Sequence, residues 1–213
     1  MATLLIIGAS KGIGLEAVKA ALAAGHTVRA FARSAASIPI EDPRLVKIAG
    51  DALSRSDIDK ALVGADAVIQ SLGVASLGEL AGGSTLFSQS TRILIDAMKA
   101  AGVKRLIAVT GLGAGNSRGH FGFFYDRIMF PLLLARIYAD KDVAEQMIAG
   151  SGLEWTIARP GILTNGPATK NYKVLPDIKD WRYGAISRID VADALVKQVN
   201  DRSLLGKTPL LIG

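Results

Sequence analysis

The chain has 213 residues, no cysteine, two histidines and a formal net charge of +6. This length fits one domain with a substantial core, and the absence of cysteine excludes disulfides, a thiolate nucleophile and a cysteine-based zinc site. Two isolated histidines argue against a metal site. The basic residues are scattered and no nucleic-acid motif accompanies them, so we expect a small anionic ligand and no nucleic-acid partner.

Apolar runs typical of buried strands alternate with helical patterns along the chain. The strand runs lie at 3–7, 26–31, 45–49, 66–70, 105–110 and 154–158. The helical patterns cover 13–24, 54–63 (capped by Ser54 or Ser56), 84–101 (started by Ser84) and 139–149. This alternation predicts an α/β fold over residues 1–213: a single Rossmann-like, doubly wound domain whose mostly parallel sheet is covered by helices on both faces.

No stretch of the sequence predicts insertion into a membrane, because no run reaches about 18 uncharged apolar residues. The nearest candidate, 128–139, is short and contains Pro131 and Arg136. A strand pattern without a basic leader follows Met1, so we expect no signal peptide. We therefore expect a cytoplasmic monomer or homodimer that acts on a small molecule and has no membrane partner.

The first predicted strand leads into a glycine-rich loop that opens a helix. Gly8, Gly12 and Gly14 are spaced G-x-x-x-G-x-G. Such a loop turns tightly, lets the backbone approach a pyrophosphate and directs helix N–H groups at the anion. We predict that a dinucleotide binds the loop residues, which are Gly8, Ser10, Lys11, Gly12, Ile13 and Gly14. A glycine-rich turn without a ligand is the alternative.

The end of the second predicted strand indicates which dinucleotide binds. An Asp or Glu at this position would hold the ribose 2′-hydroxyl of NAD, but the sequence is Ala32-Arg33-Ser34 and the next carboxylate is Glu41. The guanidinium of Arg33 suits a 2′-phosphate, and Ser34 and Lys11 could assist. The sequence therefore favours NADP(H) over NAD(H), with a solvated surface role for Arg33 as the alternative.

The ends of two later strands supply further candidate cofactor contacts. Asp51 and Ala52 follow the third predicted strand, where the adenine lies in such folds, although Asp51 could instead cap a short turn. Ser71, Leu72 and Gly73 follow the fourth predicted strand. A small residue and a glycine at this position would let the backbone pass close to the cofactor.

Two segments, 111–137 and 160–186, interrupt the alternation, and each follows a strand end. Ligands of open α/β sheets bind beyond the carboxyl ends of strands, so we predict that both segments lie on the substrate side. The aromatic residues within 120–131 predict either a pocket for a flat apolar molecule or a core or oligomer contact. Residues 116–118 are expected to form a loop at the rim.

Several motifs together resemble the short-chain dehydrogenase/reductase superfamily. They are GASKGIG, AGD, SLG, LIAVTGLG, ARPG and AISRIDVADALV. The last two are similar to stretches of its atypical branch, the NmrA-like and flavin-reductase/biliverdin-reductase-B-like proteins. The resemblance covers essentially the whole chain. It implies a Rossmann-like domain, NADP(H), hydride transfer and contact of Pro160 and Gly161 with the nicotinamide.

The same resemblance implies a catalytic set that this chain carries only in part. The superfamily has a Ser or Thr at the end of the fifth strand and a Tyr-x-x-x-Lys on the next helix. Thr110 and Lys141 match, but Ile137 stands at the tyrosine position and Tyr138 is one residue away. Tyr125 lies further from the required spacing.

A lysine without the tyrosine could still orient the ribose, or act as a general acid if burial lowered its pKa. The alternatives are a surface pair of Lys141 with Glu145 and a Thr110 hydroxyl that satisfies its own backbone.

Two functions follow for the chain as a whole. The first is an NADPH-dependent oxidoreductase that transfers hydride to a carbonyl, quinone, flavin or similar conjugated molecule. The second is a non-catalytic NADP(H)-binding redox sensor of the NmrA-like type.

Overall fold

In the computed structural model, which describes residues 1–73, 85–111, 114 and 135–213, strands and helices alternate along the chain. The strands are β1 (Thr3–Ile7), β2 (Thr27–Ala32), β3 (Leu45–Ala49), β4 (Ala67–Gln70), β5 (Arg105–Val109), β6 (Glu154–Pro160), β7 (Ile162–Thr164), β8 (Lys173–Leu175), β9 (Ala185–Ser187) and β10 (Leu210–Ile212). The helices are α1 (Gly12–Ala23), α2 (Arg55–Leu62), α3 (Leu86–Ala101), α4 (Ala135–Ala149) and α5 (Arg188–Lys197).

The central sheet has eight strands in the order β3-β2-β1-β4-β5-β6-β10-β8. Every neighbouring pair in it is parallel except β10 and β8, which are antiparallel. Strands β7 and β9 form a separate parallel pair. The predicted α/β, mostly parallel architecture is confirmed.

Strand β1 shows why the apolar runs form the centre of the sheet. Leu4 and Ile6 point into a core cluster with α1 and α5, whereas Leu5 and Ile7 point into a second cluster with α2 and α3. All four side chains are buried. A strand covered on both faces needs apolar residues at every position rather than at alternate ones, so helices on both faces follow from this run.

The predicted elements are present, with boundaries that shift by up to four residues. Helix α2 is capped by Ser54, whose hydroxyl accepts a hydrogen bond from the backbone N–H of Asp57 at 3.3 Å. Helix α4 begins at Ala135 instead of residue 139, so that predicted start is wrong. The predicted starter of α3, Ser84, lies outside the described residues, as do Tyr125, residues 116–118 and the aromatic segment 120–131.

The sequence did not predict α5 or strands β7 to β10. These four strands have three residues each, too few to show a periodicity. Helix α5 did carry a start signal, because Ser187 accepts a hydrogen bond from the backbone N–H of Asp190 at 3.0 Å, as Ser-x-x-Asp predicts for a helix N-terminus. In the described part of the chain, no helix has the length and apolar character needed to span a bilayer.

Candidate functional site

The carboxyl ends of the central strands surround a cavity of about 780 Å³, within the range of roughly 300–1,000 Å³ typical of ligand pockets. Predicted site residues that line it are Gly8, Ser10, Lys11, Gly12, Ile13, Arg33, Ser34, Asp51, Ala52, Ser71, Leu72, Gly73, Thr110, Lys141 and Pro160. Side chains that the sequence did not single out also line it, among them Thr85, Leu86, Gln89, Leu163 and Arg188.

The glycine loop forms one wall of the cavity. Gly8 has a φ of +84°, and a side chain on it would collide with the backbone carbonyl of Ser71 at the end of β4. The backbone N–H groups of Gly8 and Ala9 both donate to the carbonyl of Phe31, at 2.9 and 3.2 Å, and so tie the loop to β2. Glycine at position 8 is therefore required by the close packing of three strand ends.

The N-terminus of α1 suits an anionic group. Its first turn contains no acidic residue, and the capping residue Lys11 makes no side-chain capping bond, whereas α2 and α5 are capped by Ser54 and Ser187. Uncapped N–H groups and the helix dipole attract phosphate. The loop and the helix therefore fit the pyrophosphate of a dinucleotide.

Two predicted cofactor residues do not line the cavity. Gly14 faces the backbone of Gly8, which lets α1 pack closely against the loop. Gly161 faces the backbone of Gly184 at the junction of β6 with the β7–β9 pair. Both glycines allow close backbone packing behind the cavity wall, and neither is placed for direct contact with a ligand.

Arg33, which follows β2, and Lys11, which precedes α1 in the glycine loop, are exposed and line the cavity. Neither side chain forms a hydrogen bond or ion pair with any residue in the described part of the chain. Asp51 also lines the cavity, but its Oδ1 accepts a hydrogen bond from the backbone N–H of Leu53 at 3.0 Å. Asp51 therefore caps this turn, and its contact with an adenine stays a prediction.

The end of β5 carries a buried polar network. Thr110 Oγ1 donates a hydrogen bond to Glu145 Oε1 at 2.6 Å, and Lys141 Nζ donates to the backbone carbonyl of Thr110 at 2.7 Å. Glu145 is in turn paired with Arg159 of β6. The structure therefore brings Thr110 and Lys141 together, and neither of their structural alternatives holds: Lys141 is not bonded to Glu145, and the Thr110 hydroxyl does not bond its own backbone.

The ammonium of Lys141 lies between two aromatic rings, 5.0 Å from the centroid of Phe87 and 5.1 Å from that of Tyr138. Burial lowers the pKa of Lys141 to about 8, and the charge of Glu145 offsets part of that effect. General acid catalysis is favoured by a group whose pKa lies near the working pH, and the lowered pKa of Lys141 meets this condition.

Tyr138 lies beside this network but outside the cavity lining. Its hydroxyl approaches Gly111, which follows the Thr110 position. One helical residue corresponds to a rotation of about 100°, so Tyr138 projects from α4 in a different direction from residue 137, where the superfamily pattern has its tyrosine. The side chain of Ile137 is outside the described part of the structure.

Helix α4 is held against α3 by a second buried carboxylate, that of Asp140. Asp140 accepts hydrogen bonds from the backbone N–H groups of Phe87 and Ser88, at 2.8 and 3.2 Å. This contact caps α3 in place of a side chain of its own and fixes the turn of α4 that carries Lys141. No local sequence signal predicts this contact, because the partners are 53 and 52 residues apart.

Glu145 and Arg188 are the most informative of the residues that sequence reasoning missed. Glu145 follows Lys141 by four residues and shares its helix face, and this spacing alone predicts only a surface ion pair. Arg188 begins α5, lines the cavity and donates to Asn165 Oδ1 at 2.7 Å. Among the described residues no group of three or more His, Cys, Asp or Glu could hold a metal ion.

Comparison with known families agrees with this geometry. A family model described as NAD(P)H-binding matches residues 8–202. The chain belongs to this NAD(P)H-binding family. The matched span contains the glycine loop, the β5 network and α5.

Individual relatives place the chain within that family. It is 32% identical over 70% of its length to a Bacillus subtilis protein named as an uncharacterized sugar epimerase, YhfK, and 31% identical over 92% to the chloroplast protein TIC 62 of rice. The matches cover 64% and 43% of those two proteins, so the chain spans less than two thirds of either relative.

Solved structures show the same fold. ChuY from Escherichia coli O157:H7, described as an anaerobillin reductase, is 27% identical with a TM-score of 0.75, and 99% of this chain and 96% of ChuY are covered. A short-chain dehydrogenase/reductase from Veillonella parvula in complex with NADP is 19% identical with a TM-score of 0.82, covering 100% and 94%. The resemblance to atypical short-chain dehydrogenases/reductases is confirmed at the level of fold and NAD(P)H-binding family.

Proposed function

We propose that this protein is an NADPH-dependent oxidoreductase that transfers hydride to a carbonyl, quinone, flavin or similar conjugated electron acceptor. The observation that carries the proposal is the position of Lys141, a lysine of lowered pKa that lines the same cavity as the glycine loop. Membership of the NAD(P)H-binding family and the similarity to ChuY, described as a reductase, support it.

The residues present fit a dinucleotide across the cavity. The N-terminus of α1 would hold the pyrophosphate, Arg33 and Lys11 the 2′-phosphate, and Ser71 to Gly73 and Pro160 the path toward the nicotinamide. The bound nicotinamide would supply the hydride, which is cofactor chemistry. Lys141 would orient the ribose and donate a proton to the reduced electron acceptor.

The preference for NADPH rests on Arg33. Its guanidinium lines the cavity, and no carboxylate in the described part of the chain neutralises it. A planar guanidinium can bind phosphate with two parallel hydrogen bonds. The 2′-phosphate of NADP(H) would pair with the Arg33 guanidinium, whereas NAD(H) has no phosphate at this position to pair with it.

A calorimetric titration with NADPH and NADH tests the cofactor assignment. Arg33→Gln should weaken NADPH binding by about 10- to 100-fold, the effect of losing a hydrogen bond to a charged group, and should leave NADH binding nearly unchanged. Arg55→Gln is the matched control, since Arg55 pairs with Asp59 on the surface of α2. Equal binding of both nucleotides by the wild-type protein would contradict the preference.

A redox sensor of the NmrA-like type is the second candidate. It is favoured by one observation, the isoleucine that stands at position 137 where the superfamily pattern has its catalytic tyrosine. A screen of NADPH oxidation against aldehydes, quinones and flavins separates the two functions. The reductase predicts turnover with at least one class, and the sensor predicts tight NADPH binding without turnover.

A further inference from the structure

Glu145 is a buried carboxylate held by a buried guanidinium. Its side chain is 7% exposed and that of Arg159 is 3% exposed. Arg159 donates from Nε to Oε1 at 3.0 Å and from Nη2 to Oε2 at 2.5 Å. Such a two-bond pair stabilises the ionised carboxylate, so Glu145 acts only as a hydrogen-bond acceptor.

The negative charge of the Glu145 carboxylate determines the direction of the Thr110 hydroxyl proton. Thr110 Oγ1 lies 2.6 Å from Glu145 Oε1 and is the donor in that hydrogen bond. A threonine hydroxyl has a single proton and two lone pairs. With the proton directed at Glu145, Thr110 offers only lone pairs toward the cavity and cannot donate to a ligand there.

Lys141 differs from Thr110, because an ammonium has three N–H groups and one of them satisfies the Thr110 carbonyl. The charged and titratable groups around it are Tyr138, Asp140, Asp142 and Glu145 on its own helix and Arg159 on β6. From α3 the facing side chain is the Phe87 ring. Asp140 is bonded to the N-terminus of α3, and the charge of Glu145 opposes the effect of burial on Lys141.

We infer, resting on the proposed reductase function, that Glu145 is a positioning residue that turns the Thr110 hydroxyl away from the electron acceptor and keeps Lys141 protonated, so that Lys141 donates the proton. Bound NADPH would supply the hydride to the electron acceptor, while an N–H bond of Lys141 would break and an O–H or N–H bond of the reduced product would form. Solvent then returns a proton to Lys141.

The first test compares Thr110→Val with Lys141→Met in NADPH oxidation with a quinone. Removal of the Thr110 hydroxyl should reduce kcat by less than about tenfold, because this hydroxyl is bonded to Glu145 and not to the electron acceptor, so no interaction with the transition state is lost. Removal of the donor should reduce kcat by about 10²- to 10⁴-fold. A loss in Thr110→Val as large as that in Lys141→Met would overturn the inference.

The second test follows the titration of Lys141 by NMR of the protein labelled with ¹³C-lysine, with the signal assigned from Lys141→Met. Glu145→Gln should lower the Lys141 pKa by about one unit or more, the effect expected from losing a nearby opposite charge. Glu145→Asp should restore most of the Lys141 pKa. Glu154→Gln, a surface control paired with Arg202, should leave the Lys141 pKa unchanged. An unchanged titration in Glu145→Gln would overturn the inference.

The two tests distinguish this inference from the proposed function. The NMR titration does not depend on turnover, so it decides the effect of Glu145 even if no electron acceptor is reduced. If Glu145→Gln does not fold, Thr110→Val and Glu145→Asp remain available. Thr110→Val should then lose far less kcat than Lys141→Met, and a loss as large as that in Lys141→Met would contradict the positioning role.

Discussion

The two ends of the cavity are built in opposite ways. At the glycine-loop end, Arg33 and Lys11 are exposed side chains without partners in the described structure, and the binding surface is mostly backbone. At the β5 end, Thr110 is bonded to both Glu145 and Lys141 within the protein. The first end resembles a site left open for a charged ligand, whereas the second is organised before any ligand arrives.

The two ends of the cavity are therefore suited to different functions. Backbone N–H groups and unpaired cations provide affinity for phosphates. A prearranged network with a lysine of lowered pKa provides a proton donor in a fixed position. Changes at the β5 end should therefore affect folding and rate, and changes at the loop end should affect nucleotide affinity.

The largest expected effect is on stability at the β5 end. Arg159→Leu leaves Glu145 buried without its partner, and such a change costs about 3–5 kcal/mol of unfolding free energy. Arg202→Leu, which breaks a largely exposed pair with Glu154, should cost less than about 1 kcal/mol. Urea unfolding measures both, and equal small losses would show that the buried pair does not hold this end together.

The next largest effect is expected on kcat at Lys141, and it distinguishes a role in the reaction from a role in NADPH binding. Lys141→Met should lower kcat for NADPH oxidation by about 10²- to 10⁴-fold, since the proton donor is lost, while NADPH affinity changes far less. Lys99→Met, at an exposed position near the end of α3, is the control. A loss confined to NADPH affinity, with kcat retained, would make Lys141 a binding residue and remove the contrast between the two ends.

The smallest effect is backbone strain at the glycine loop. Gly12 has a φ of +60°, and a side chain on it would meet no atom within 4 Å. Gly12→Ala should therefore cost about 1–2 kcal/mol from the left-handed conformation alone, measured by thermal unfolding without nucleotide. Gly73→Ala also meets open space and has no positive φ, so a matching loss there would refute this explanation.

The loop end was predictable from the sequence because its determinants are local. The glycine spacing, the strand before it and Arg33 at the next strand end all lie within the first 33 residues. Six strands and four helices were likewise predicted from runs long enough to show a pattern. The strands β7 to β10 were not predicted, because each has only three residues and is too short to show a pattern.

The β5 end was predictable only in part. Thr110 and Lys141 were found by resemblance, but the bond of Thr110 to Glu145 joins residues 35 apart, and Arg159 comes from another strand. The sequence could place Lys141 and Glu145 on one helix face, yet it could not show that this face is buried. The cap that Asp140 supplies to α3 depends on tertiary packing in the same way.

The pH dependence of kcat for NADPH oxidation by the wild-type protein tests the central claim most directly. Burial lowers the pKa of Lys141 to about 8, so below that pH the ammonium can donate and above it the neutral amine cannot. We predict that kcat falls as the pH rises through about 8. A kcat that stays constant up to pH 10, the region of an ordinary lysine, would contradict Lys141 as the proton donor.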